Sequence, residues 1–236
     1  MSEPAASGRD LFGQSVTLSG RGRQLPLPLG WRGEVVGTVA PIIIVGPSNS
    51  DAVRHIGAPG SWTVPASILI GPARSGKSMM GQMFLDAGGA RVIDGLDGVA
   101  EADLFHLWND MRETGGRMLI LTETAQALDA LSLPDLKTRL ATAPVLEIGA
   151  PDACLSRDLV EHLLTARGLN PAPQLGSYVA ARIERSYAAI NTAVTAIDAH
   201  ALAQGGAAGI RNARAALIAA GLYDGTANDS DSPEPA

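Results

Sequence analysis

Gly71-Pro72-Ala73-Arg74-Ser75-Gly76-Lys77-Ser78 satisfies the pattern G-x-x-x-x-G-K-[ST] at every defined position. A buried apolar run, Ser67 to Ile70, precedes it, and a helical pattern begins at Lys77. Each part has a physical reason. Glycines let successive backbone N–H groups turn inward as an anion nest. The start of the following helix adds partial positive charge. In such a loop the lysine reaches the β- and γ-phosphates and the serine hydroxyl ligates Mg²⁺. Gly71, Pro72, Ala73, Arg74, Ser75, Gly76, Lys77 and Ser78 are therefore the expected cradle of ATP or ADP.

Working outward, short β-branched runs recur: Ile42-Ile43-Ile44-Val45, Ala66 to Ile70, Arg91-Val92-Ile93, Met118 to Leu121 and Pro144 to Ile148. Runs without polar alternation suit a parallel sheet covered on both faces. The first run, set between Pro41 and a Gly-Pro-Ser turn, reads either as a strand or as a packed extended segment. Helical stretches at 77–86, 100–114 and 133–141 alternate with the strands and define an α/β core. After Pro151 the strand signal stops, and 152–167, 174–182, 186–204 and 209–220 read as a small helical domain. Asp94 ends the Val92-Ile93 run, where the carboxyl edge of a parallel sheet collects ligand groups, and is the expected metal acid beside Ser78. The next position, Gly95, cannot orient an attacking water; Asp97 is the nearest substitute acid.

Composition narrows the function. The chain has 236 residues, 46% hydrophobic and 18% charged, with formal net charge −6. A packed core is feasible. Bulk electrostatic attachment to nucleic acid is disfavoured, because phosphate neutralisation needs clustered Lys and Arg. Cys154 is the single cysteine, which excludes an intrachain disulfide and a cysteine zinc site. His55, His106, His162 and His200 form no metal-spaced pair and read as structural or surface residues. No apolar run reaches the roughly 20 residues of a membrane span, and the N-terminus lacks a signal-peptide pattern. The expectation is a cytoplasmic protein. Before the core, Gln24-Leu25-Pro26-Leu27-Pro28-Leu29 is held extended by its prolines, with leucines at alternate positions.

The order of these features resembles the AAA+ module of the bacterial replication initiator DnaA, and more closely the DnaA-related regulators Hda and HdaA. The resemblance runs from about Gln24 to about Leu222. Gln24 to Leu29 is similar to the hexapeptide by which those regulators bind the DNA polymerase sliding clamp; Gln24, Leu25, Leu27 and Leu29 are the implied contacts. Ile44 to Val53 resembles the segment near the adenine, with Ser48 or Asn49 expected to cap the helix that follows. Met118 to Thr124 sits at the sensor 1 position, where Thr122 or Thr124 senses the γ-phosphate. Leu133-Pro134-Asp135-Leu136-Lys137-Thr138-Arg139-Leu140 is similar to the stretch whose arginine is the finger, so Arg139 is implied to act in trans. Arg182 to Ile190 resembles the sensor 2 helix start; Arg185 matches the arginine that reaches the nucleotide, with Arg182 one turn earlier.

Composition makes 1–23 and the acidic 224–236 disordered tails, and the resemblance implies a clamp-binding peptide at 24–29, a nucleotide-binding α/β core at 30–150 and a helical lid at 151–223. The short interval from Lys77 to Asp94 leaves room for a four-stranded or ragged sheet. The implied function is an adaptor holding ADP or ATP with Mg²⁺, binding the clamp and promoting hydrolysis of DnaA-bound ATP. Implied partners are the clamp and DnaA, with homo-oligomers also compatible. Sequence-specific DNA binding and membrane attachment are not expected. An active ATPase of clamp-loader or assembly type is the alternative.

Overall fold

The computed structural model describes residues 23–26, 42–96, 99–204 and 208–224, with the backbone alone for 23–26. Of the expected tails at 1–23 and 224–236, residues 1–22 and 225–236 lie outside the described residues, as do Leu27, Leu29 and Asp97.

Strands β3 (Ala66–Ile70), β4 (Arg91–Asp94), β5 (Met118–Thr122) and β6 (Val145–Glu147) form a four-stranded sheet in the order β4-β5-β3-β6. Every pairing in it is parallel, with Ile68 opposite Ile120 and Val145. β5 is buried along its whole length, which is why its residues are apolar at consecutive rather than alternate positions.

The period of two nevertheless sorts side chains between faces. Leu69, Leu119 and Leu121 join a cluster with α1 (Ser50–Ile56) and α2 (Lys77–Asp86), through Val53, Ile56, Met80 and Phe84. Ile68 and Ile120 face the other way. They pack with Leu104 and Trp108 of α3 (Glu101–Thr114), and with Leu136 and Leu140 of α5 (Pro134–Leu140). A short α4 (Gln126–Asp129) follows β5.

On the first face Trp62 is stacked between His55 and Phe84, at 4.7 and 5.1 Å between ring centroids. The Phe84 ring lies where a Cβ on Gly89 would stand, at 2.3 Å, so the turn after α2 admits no side chain there.

The strand signal does stop after β6. Helices α6 (Ala153–Ala166), α7 (Leu175–Ala180), α8 (Tyr187–Gln204) and α9 (Ile210–Ala219) enclose their own core, centred on Val160, Leu164, Val194, Ile197 and Leu217. Asp152 caps α6 by accepting from Leu155 N at 2.7 Å. Tyr187 of α8 instead packs with the sheet-side cluster of α1 and α2, so the helical layer and the α/β core share buried surface.

The run Ile42–Val45 is a strand (β2), but it lies outside the parallel sheet. It pairs antiparallel with Arg23–Pro26 (β1), Gln24 opposite Ile44 and Leu25 opposite Ile43. Arg23 therefore belongs to a strand rather than to a tail, and Gln24 to Pro26, extended as expected, are backbone-paired to the chain's own β2.

Candidate nucleotide site

A cavity of about 1060 Å³ lies between the sheet's carboxyl edge and the helical layer. Ligand pockets commonly occupy roughly 300–1000 Å³, so a nucleotide with its phosphates has room. The phosphate-loop side is built by residues 73–80. Gly76 precedes α2 at φ +90, and Arg74 stands at φ +64. These left-handed residues fold the loop into its nest. Ser75 Oγ is buried and has no hydrogen-bond partner among the described residues. The Lys77 ammonium is buried within its own loop and donates to Gly71 O at 2.7 Å and Pro72 O at 2.9 Å.

The sheet contributes the acid. Asp94 closes β4, and Ser78 on the first turn of α2 donates to its Oδ2 at 2.7 Å. A hydroxyl and a carboxylate at this separation are the hard oxygen donors that a small divalent cation takes. Gly95 follows at φ +86 and offers no second carboxylate. Thr122, at the end of β5, is buried and donates to Thr124 O at 3.2 Å. Thr122 and Thr124 both line the cavity, as does the exposed Glu123.

The apolar end joins β2 to the helical layer, through Ile42, Ile43, Ile44, Leu155, Leu159 and Tyr187. Asn49 sits here, but not as a cap. Its side chain makes no bond to the start of α1. It accepts from Gly46 N at 2.8 Å and donates to Ile44 O at 2.9 Å, so it fixes the β2–α1 turn from inside. Ser48 likewise caps nothing. Its hydroxyl faces Tyr187 Oη at 3.5 Å, across to the helical layer. Burial raises the Tyr187 phenol above its ordinary range.

His162 also lines the cavity, and burial lowers its imidazole pKa. Its place at the cavity arises from packing that no local pattern announces. Asn191 of α8 was missed for the same reason.

Two arginines fall elsewhere. Arg185 is exposed and lines a separate groove of about 240 Å³ with Cys154, Arg157 and Ser177. The structure does not bring it to the nucleotide cavity. Arg182 does not substitute, for its guanidinium lies 3.8 Å from the Tyr178 ring centroid and serves the packing of the helical layer. Both precede α8, whose first turn aims Tyr187 rather than an arginine at the core. Arg139, on α5, also lies outside the cavity lining. It donates to Asn109 Oδ1 and lies over the Phe105 ring, 4.3 Å from its centroid. The start of that segment is tied to α3, since Glu101 accepts from Ser132 N at 2.7 Å and Leu133 N at 2.6 Å.

Phosphate loop, strand-end acid, parallel sheet and following helical layer together define the AAA+ class of P-loop NTPase folds. The sequence matches no family model and no curated protein. In backbone shape the chain is similar to domain III of the Thermotoga maritima replication initiation protein DnaA. The TM-score is 0.62 at 15% identity, covering 75% of this chain and 94% of that one. It is also similar to the FIGL-1 AAA domain in complex with ADP, with TM-score 0.54 at 14% identity over 78% of this chain and 84% of that one. The Thermotoga maritima RuvB Holliday junction branch migration motor gives 0.53 at 10% identity, over 72% and 69%. At identities this low the likeness shows the fold alone. Among the described residues no helix is long and apolar enough to cross a membrane.

Proposed function

We propose that the chain is a nucleotide-bound AAA+ adaptor, related to DnaA, that binds the DNA polymerase sliding clamp and promotes hydrolysis of DnaA-bound ATP, so restraining initiation of chromosome replication. The observation that carries it is a division of labour. Ser78 and Asp94 meet at 2.7 Å inside the cavity, while Arg139 stands outside it on the α3–α5 face. A cation so placed is out of reach of its own chain's phosphates, and would meet a neighbouring molecule's by exchanging Asn109 and the Phe105 ring for them.

The residues fit a magnesium nucleotide. The loop amides and the orphaned Ser75 hydroxyl supply donors, and Ser78 with Asp94 supplies the oxygen pair. Bound Mg²⁺ would neutralise phosphate charge. Ile42 to Ile44, Leu155 and Leu159 would exclude water around the base. Gly95 supplies no base for water, so slow turnover is expected. Support for the DnaA relation is the shape likeness to DnaA domain III together with the Leu133–Leu140 stretch. Support for clamp binding is the Gln24–Leu29 sequence.

The test is ATP turnover by DnaA on clamp-loaded DNA, with and without this protein. Stimulation should be lost in Arg139→Ala and in an alanine block over 24–29. No stimulation by folded, nucleotide-bound protein would sink the adaptor reading in favour of the protein's own ATPase activity.

A further inference from the structure

We infer that Phe105 and Asn109 are positioning residues for Arg139: they hold the cation in a resting seat, from which a partner's phosphate has to displace it. The inference rests on the adaptor reading and adds what restrains its cation. Glu101, Phe105 and Asn109 follow one another at intervals of four on α3, so they form one stripe on the helix surface. The whole stripe is engaged with segment 132–139. Glu101 accepts from Ser132 N and Leu133 N. The Phe105 ring lies under the Arg139 guanidinium, and Asn109 Oδ1 accepts from its Nη1. Leu136 and Leu140 bury the same contact against Leu104 and Trp108. The backbone of α5 is thus fastened by its start and by its apolar face, and Arg139 is held separately, through its tip.

The partners of that tip are informative. Asp135 precedes Arg139 by one turn of α5, the spacing at which a carboxylate and a guanidinium pair along a helix. Yet among the described residues Arg139 makes no ion pair. It is turned onto a ring and a neutral amide, both half-buried, as is Arg139 itself. An aromatic face and an amide oxygen engage a guanidinium without neutralising it. A charged oxygen holds it roughly twice as strongly. The seat therefore yields to a phosphate and withstands a neutral acceptor. The seated fraction of Arg139 is subtracted from the fraction ready for the partner. Because Glu101 and the two leucines keep α5 in place, the exchange needs only the Arg139 side chain to swing.

The test is ATP turnover by DnaA on clamp-loaded DNA, titrated with the full chain and with Asn109→Ala, Phe105→Leu and Asn109→Asp. Urea unfolding of Arg139→Ala and Asn109→Ala, singly and combined, accompanies it. Asn109→Ala removes the amide acceptor and Phe105→Leu removes the ring. Each should lower the concentration of this protein that gives half-maximal stimulation about 3-fold, with maximal turnover unchanged. Asn109→Asp keeps the shape and adds a charge, so it should raise that concentration about 10-fold. A residue that only supports the fold would move alanine and aspartate in the same direction, so opposite signs are the signature of the seat. The unfolding losses of Arg139→Ala and Asn109→Ala should be non-additive. Weaker stimulation by Asn109→Ala, shifts of one sign in both Asn109 variants, or strictly additive unfolding losses would overturn the seat and leave the adaptor reading standing. No stimulation by the parent protein would overturn both readings together.

Discussion

Ser78 Oγ donates to Asp94 Oδ2 at 2.7 Å, joining the first turn of α2 to the last residue of β4. The bond joins two elements consecutive along the chain, and it places a hydroxyl and a carboxylate together beside the phosphate loop.

Asp94→Asn keeps the shape of that pair and removes its charge. Nucleotide affinity should then lose its magnesium dependence, falling about 10-fold in Mg²⁺ and hardly changing in EDTA. Titrations of ADP with and without Mg²⁺ read both arms. A variant that still responds to Mg²⁺ would place the cation elsewhere.

Asn49 is buried, and both ends of its side-chain amide are bonded, to Gly46 N and Ile44 O. Asn49→Ala should destabilise by about 1–3 kcal/mol, the cost of orphaned backbone groups in a dry turn. Asn49→Asp should be no better, as it sets a carboxylate against the Ile44 carbonyl. Urea unfolding measures both, and a loss for Asn49→Ala near zero would show that water replaces the side chain.

Gly89→Ala drives a methyl into the Phe84 ring that stacks on Trp62. Overpacking of this kind costs about 1–3 kcal/mol. Gly76→Ala meets open space but keeps φ +90, so its cost should be about 1–2 kcal/mol, from backbone strain alone. The two should differ in rescue. Phe84→Leu makes room for Gly89→Ala and does nothing for Gly76→Ala. Equal effects of Phe84→Leu on both would contradict the geometry.

Glu101 carries a pH dependence whose sign is fixed. Hydrogen bonds from Ser132 N and then Leu133 N lower its pKa. A depressed carboxylate contributes stability above its unfolded value, about 4.3, and loses that contribution as pH falls through the lower folded value. Melting temperatures of the parent and Glu101→Gln should differ by a constant amount near neutrality and converge in acid below pH about 4. A gap that widens on acidification would contradict the assignment. Because the group is exposed, the gap should be small.

Much of this was legible along the chain because it is local. The phosphate loop, its strand and its helix lie within one stretch, and Asp94 was found from a strand end. The helix starts at Lys77 and Ala153 follow from a positive-φ glycine and from an aspartate cap. What escaped depends on distant packing. Tyr187, His162 and Asn191 reach the cavity through the way α6 and α8 lie on the core, which no periodicity encodes. Arg185 was matched by pattern, yet the turn before α8 leaves it on the outer groove. Asn49 has the residue type of a cap but bonds backward, because its turn is buried and Gly46 N needs an acceptor.

The strand order has a temporal side as well. β3 pairs with β5 and β6, so Ile68 has no partner in the sheet until Ile120 and Val145 have been made. Non-local parallel pairing is slow, whereas helices that contact near neighbours form quickly. A chain emerging from the ribosome therefore carries an unpaired β3, apolar apart from Ser67, for most of the α/β core's synthesis, followed by helices that fold fast on themselves. The interval before β6 closes the sheet's edge is when this protein is most exposed to aggregation.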